Sequence, residues 1–148
     1  MSTRFEALRG ALAAALASRI RAEVADRGQL TIEVAADDLP PVMSALRDDE
    51  RLAFSELIDL AGVDYQGFGE EPWEGKRYAV VYNLLSIRHN WRVRVKVFCT
   101  NDEFPALDSV IGVWPGANWF EREAFDLYGI VFKGHRSEER RVGKECRL

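Results

Sequence analysis

The densest group of ionisable side chains beside aromatic ones is Glu121, Glu123 and Asp126, in a stretch that also carries Trp119, Phe120, Phe125 and Tyr128. Paired carboxylates perform acid–base chemistry when their surroundings push their pKa values apart. The spacing argues against that here. On a helix Glu121 and Glu123 diverge by about 200°, and Asp126 follows Arg122 at i, i+4, which favours a local ion pair. Three readings remain: an independent acid–base site, a capped and ion-paired helix face, or a charged face that docks a partner. The surplus of aromatic residues allows either core packing or a binding surface with Trp and Tyr anchors. Helical steps place Trp119 near Ala124 and Tyr128, with Phe120 and Phe125 pointing elsewhere.

Other reactive residue types lack the company that chemistry requires. His89 falls in a presumed hairpin turn and His135 ends a Lys-Gly-His loop, with no carboxylate or thiol at metal-ligand spacing. Cys99 and Cys146 form no CxxC or Cys/His pattern, and Cys99 alternates with valines as a small buried hydrophobe would. No GxGxxG, Walker loop or GxSxG occurs, and Gly67-Phe68-Gly69 lacks the strand-to-helix context of a phosphate cradle. Arg92, Arg94 and Lys96 share one face of a strand, either as a site for an acidic partner or as the solvated side of a half-buried strand.

Positioning these residues falls to a chain of 148 residues, enough for one domain with a core of its own. A net charge of −4 argues against general nucleic-acid binding. No apolar run approaches the roughly 20 residues of a spanning helix, so membrane association is expected only through a partner or a surface contact. Phe5, Leu8, Leu12, Leu16, Ile20 and Val24 recur at helical steps and predict one amphipathic helix from about residue 4 to Asp26, stopped by Gly28, rather than a targeting segment.

Alternation predicts a strand at Leu30–Val34, and Pro40-Pro41 predicts the start of a short helix over about 41–48. Residues 53–65 fit neither period well and lean to strand; 66–76 read as a loop. Tyr78–Ile87, apolar on both faces, reads as a central strand covered on both sides. It forms an antiparallel hairpin with the alternating Trp91–Cys99. Asn118 is a preferred N-cap with Glu121 answering in a capping box, and the helix ends at Gly129 before a short strand at 130–132.

The run Ala117-Asn118-Trp119-Phe120-Glu121-Arg122-Glu123-Ala124-Phe125-Asp126-Leu127-Tyr128-Gly129-Ile130, followed by Phe132 and Gly134-His135, closely resembles the 30 kDa subunit of respiratory complex I, the bacterial NADH-quinone oxidoreductase. The likeness runs back through Phe54–Tyr65, Val80–Ser86 and Arg92–Lys96, about residues 30–135 in all.

The resemblance implies an α/β subunit of α+β type, a single domain with a mixed, largely antiparallel sheet of about four strands and helices packed on it. It implies a non-catalytic peripheral-arm scaffold of the proton-translocating enzyme. Its partner would be the large, 49 kDa-type subunit with neighbouring peripheral-arm subunits, and it would bind no nucleic acid. The expected place is the cytoplasmic side of the bacterial inner membrane, held through the complex. NADH, flavin, iron–sulfur clusters and quinone would be bound by partner subunits, with no cofactor, metal or catalytic residue in this chain. Trp119, Glu121, Arg122, Glu123, Asp126, Tyr128 and His135 are the positions that the signature assigns to docking or its support. An equivalent subunit of an energy-converting hydrogenase or related quinone-reducing complex is the alternative.

Family members continue past His135 with Pro-Asp-Leu and a long extended tail. Here Arg136–Leu148 instead resembles a translated sequencing adapter up to Arg147. The expected organisation is a family domain over 1–135 and a non-native tail over 136–148, with exposed apolar surface near the Glu-Arg-Glu helix where the family tail would lie.

Overall fold

Arg27 and Gly28 decide how the chain begins. Both have left-handed backbone, φ 53° and 77°, the conformation that a two-residue hairpin turn demands at its two central positions. They join β1 (Ile20–Asp26) to β2 (Gln29–Val34) as an antiparallel pair whose last matched residues are Asp26 and Gln29. The computed structural model, which describes residues 3–65 and 77–134, therefore corrects the single long helix: α1 covers Thr3–Leu16, and one tight turn, Ala17–Arg19, leads into β1. Leu8, Leu12 and Leu16 do line the buried stripe of α1. Ile20 and Val24 continue its numerical period but lie on a strand, with Val24 58% exposed. Gly28 shapes a hairpin and caps no helix.

Among the described residues, five strands form the main sheet in the order β1-β2-β5-β4-β3, one more than expected, with β3 at Glu56–Asp64, β4 at Tyr78–Ser86 and β5 at Trp91–Phe98. The stretch that leaned to strand is thus β3. Every neighbouring pair is antiparallel except β2 and β5, which run parallel through Thr31–Arg94, Ile32–Val95 and Glu33–Lys96. Such a pair needs a long crossover; here it contains α2 (Leu39–Asp48), whose first turn includes Pro40 and Pro41, together with the β3–β4 hairpin.

One face of the sheet carries the core. Leu30, Ile32 and Val34 of β2, Val80, Tyr82 and Leu84 of β4, and Val93, Val95 and Val97 of β5 pack with the α1 leucines and with Leu39, Val42, Met43 and Leu46 of α2. Cys99 joins them as a buried free thiol. The alternate residues Val81, Asn83, Leu85, Arg94, Lys96 and Phe98 are half-exposed, and Arg92 is exposed. So β4 is an interior strand as expected, with one face in the core; on its other face Ala79 is buried, while Val81, Asn83 and Leu85 are half-exposed.

Beside this sheet, β6 (Ala106–Asp108) and β7 (Val131–Lys133) form a short parallel pair joined through α3 (Ala117–Tyr128). The turn that precedes α3 is tied to the rest by Trp114 Nε1 donating to the Phe54 carbonyl at 3.1 Å and Arg47 Nη1 donating to the Val113 carbonyl at 2.9 Å.

Candidate functional site

Helix α3 begins two residues earlier than the sequence suggests. Its N-cap is Gly116, without a side-chain cap hydrogen bond. The Ala117 amide continues the preceding turn by donating to the Trp114 carbonyl at 2.9 Å. The expected capping box of Asn118 and Glu121 is corrected accordingly. Glu121 lies beyond the first turn and faces inward, fully buried. Its Oε1 accepts the Ser109 hydroxyl at 2.6 Å and its Oε2 accepts the Val110 amide at 2.8 Å. A buried carboxylate that accepts two such donors stabilises the segment supplying them, because either donor left alone in the core would carry its desolvation cost. Glu121 thus fastens α3 to the end of β6. The other end of the helix closes as predicted, with Gly129 at φ 74° and its amide donating to the Phe125 carbonyl at 2.8 Å.

The inward stripe consists of Ala117, Glu121, Ala124 and Tyr128. Tyr128 lies over Gly62 of β3, where an added Cβ would come within 2.7 Å of Tyr128 Cδ2, so the close approach of helix and strand needs a residue with no side chain. Its ring also stands 6.5 Å from that of Tyr78. Beneath the helix, the Tyr82 hydroxyl is fully buried with no hydrogen-bond partner among the described residues. Burial, and after it the Glu121 charge, raise this phenol well above the usual 10.

The outward stripe is different in kind. Trp119 and Leu127 are 65% and 67% exposed, and with Arg122, Glu123 and Asp126 they line a shallow groove of about 200 Å³. Trp119 therefore does not share a face with Ala124 and Tyr128, which corrects the expected placement; Phe120 and Phe125 are half-buried at the flanks. Of the residues singled out by the signature, the structure brings Trp119, Arg122, Glu123 and Asp126 together on this groove. It places Glu121 and Tyr128 on the opposite side of the helix. His135 and Cys146 lie outside the described residues.

The carboxylates do not form an acid–base pair, because Glu121 is committed inside while Glu123 and Asp126 face solvent. His89 stacks on Trp91 at 4.6 Å, and its Nε2 lies 2.9 Å from the Glu50 carbonyl oxygen. No group of three or more metal-ligating side chains occurs among the described residues. Sequence reasoning missed Ser109 and Gly62: no local pattern announces a serine as partner to a glutamate twelve residues on, and a lone glycine in a strand gives only a general signal of close approach.

Helix α3 thus has one side anchored in the core and one side exposed. Residues 32–145 match the family of the respiratory-chain NADH dehydrogenase 30 Kd subunit. The chain belongs to this family. It is 51% identical over 135 residues to the C-type subunit of NADH-quinone oxidoreductase from Aromatoleum aromaticum, covering 91% of this chain and 67% of the relative. It is 52% identical over 132 residues to the same subunit of the Cupriavidus pinatubonensis enzyme, covering 89% and 66%. The chain thus spans about two thirds of the length of these relatives.

Among solved structures, the trypsin-resistant fragment (1–134) of Nqo5 is similar, with a TM-score of 0.75 and 30% identity over 87% of this chain and 97% of that one. A chain of the membrane-bound sulfane sulfur reductase, an archaeal respiratory membrane complex, shares the fold at a TM-score of 0.71 and 20% identity, covering 92% of this chain and 74% of that one. As a family member the chain is a subunit of NADH-quinone oxidoreductase, and other subunits of that enzyme are its partners. Among the described residues, no helix is long and apolar enough to cross a membrane.

Proposed function

We propose that this chain is a non-catalytic docking subunit that holds the quinone-reducing module of NADH-quinone oxidoreductase together by presenting the outer face of α3 to the large, 49 kDa-type subunit. The observation that carries the reading is the pairing of two exposed apolar side chains, Trp119 and Leu127, with three charged ones along a helix whose other side is pinned by buried Glu121. A large aromatic side chain in the open, flanked by charges, is how interface hot spots are built. In this role the chain supports electron transfer from NADH to quinone without binding either. NADH, flavin, iron–sulfur clusters and quinone sit on partner subunits, and the assembly lies on the cytoplasmic side of the inner membrane as part of the proton-translocating enzyme. Arg122, Glu123 and Asp126 set orientation, while Glu121 and Tyr128 act as positioning residues behind the contact face.

A pulldown of the full chain against the large subunit tests this. Trp119→Ala is expected to weaken binding by about thirtyfold, the effect of losing a hot spot of about 2 kcal/mol, while the helical content of the free chain is unchanged. Unaltered binding in Trp119→Ala and in Leu127→Ser would sink the reading. The alternative partner is the large subunit of an energy-converting hydrogenase or related quinone-reducing complex, which the same assay compares directly.

A further inference from the structure

The uncovered face of the sheet carries a built feature unrelated to α3. At one level of the register stand Asp59 of β3, Asn83 of β4 and Arg94 of β5. Asn83 Nδ2 donates to Asp59 Oδ1 at 2.6 Å, and Arg94 Nε donates to Asn83 Oδ1 at 3.1 Å. This relay holds the Arg94 guanidinium by its Nε edge and leaves the terminal Nη edge turned to other use. Two residues away on the same strand face is exposed Arg92. Together with Gln29 and Ile58, these side chains line a depression of about 230 Å³, and Ile58, 44% exposed, forms an apolar wall.

A planar guanidinium presents a fork of donors that matches a carboxylate with two parallel hydrogen bonds. An arginine already oriented by a neighbour loses less side-chain freedom when it binds. Arg94 is half-buried, so a pair made there is screened less than one between fully exposed charges. The surroundings narrow the ligand. Asp59 is among the lining side chains, Glu33 lies beside Lys96 on the same face, and the chain as a whole carries −4, so a multiply charged phosphate or polyanion meets more repulsion than one carboxylate with an apolar neighbour.

We propose that this depression receives one Asp or Glu side chain, adjacent to an aliphatic residue, from another subunit of the enzyme. Arg92 and Arg94 take the carboxylate, and Ile58 takes the aliphatic neighbour. Asn83 and Asp59 are positioning residues that aim Arg94. The site is a second contact, on a different face from α3, and uses none of the residues of the first.

The test probes the full chain with short overlapping peptides that cover the other subunits of NADH-quinone oxidoreductase. Retained peptides are expected to contain Asp or Glu beside Leu, Ile or Val, and replacing that acid with its amide is expected to weaken binding about tenfold. Arg94→Lys keeps the charge but removes the fork, and it should cost a similar factor, as should Arg92→Gln. Trp119→Ala should leave these peptides bound, which separates failure of this site from failure of the α3 face. Retention of no acidic peptide, indifference to the amide replacement, or indifference to Arg92→Gln and Arg94→Lys overturns the proposal. So does displacement of the peptide by inorganic phosphate at concentrations where free glutamate has no effect.

Discussion

The two sides of α3 carry the same kinds of residue to opposite ends. Glu121 and Glu123 are separated by one arginine, yet the first is sealed in the core with two donors on its oxygens and the second borders an open groove. Tyr128 rests on Gly62, while Trp119, a larger aromatic, is left 65% exposed. What a residue does here follows from its angular position on the helix, and a dense signature of charges and aromatics contains two jobs interleaved at helical spacing. The inner residues fix where the helix lies. The outer residues are what it offers.

The sharpest way to break that division is to remove the inner carboxylate. Glu121→Ala leaves the Val110 amide and the Ser109 hydroxyl without their acceptor and opens a void, and it should lower unfolding free energy by about 3 kcal/mol in urea titration. Trp119→Ala, by contrast, should stay within about 0.5 kcal/mol of the parent, as surface substitutions usually do. If both variants lose similar stability, the two faces are not distinct in function.

Next in size is Gly62→Ala. A Cβ placed 2.7 Å from the Tyr128 ring forces the helix or the ring to shift, with an expected loss of about 1–3 kcal/mol. In a Tyr128→Ala background the same change should cost less than about 0.5 kcal/mol, and the double-mutant cycle measures the difference. Equal costs in both backgrounds would mean that the contact does not set the helix position.

Tyr82 gives a smaller and oppositely signed effect. Its hydroxyl has no partner among the described residues, so Tyr82→Phe should leave stability unchanged or raise it by up to about 1 kcal/mol. Because burial raises the native phenol above the usual 10, its unfolded form ionises first as pH rises. Stability linked to Tyr82 is therefore complete below about pH 10 and declines above it. Ultraviolet titration of tyrosinate should show one tyrosine that ionises only together with unfolding, absent from Tyr82→Phe.

The least effect belongs to the surface. Arg51 hydrogen-bonds Asp49 through its side chain and its amide and lowers that carboxyl to about 2. The stabilisation is present above the ordinary carboxylate range near ~4 and is lost as pH falls toward the native value. NMR titration should find the Asp49 midpoint raised part of the way toward the ordinary range in Arg51→Ala, whose amide still donates to the carboxylate, with scarcely any change in thermal midpoint at neutral pH.

Legibility in the sequence followed the range of the interactions involved. Strand β5 was plain because alternation is a property of adjacent residues, and the Gly129 stop was plain because a left-handed helix end needs what glycine supplies. The N-terminal helix was read too long because Ile20 and Val24 happen to extend the period of Leu8, Leu12 and Leu16, and because Gly28 serves a hairpin as readily as a helix end. On α3, the family signature spans residues of both faces without dividing them. The division depends on Ser109, Val110 and Gly62, which lie elsewhere in the chain and reach the helix only through the fold. The fifth strand escapes notice for a related reason: β1 is exposed along nearly its whole length, and the alternation of Ile20, Ala22 and Val24 is masked because Ile20 and Val24 also fit the helical period of the leucines before them.

The parallel seam between β2 and β5 also sets a timetable. Thr31, Ile32 and Glu33 find their partners only at Arg94, Val95 and Lys96, so more than half of the chain must leave the ribosome before the first hairpin can be attached to the sheet. Until then Leu30, Ile32 and Val34 have no β5 to close against. Closing so distant a contact is slow compared with forming local turns, and that interval is when the nascent chain depends most on whatever shields apolar surface during synthesis.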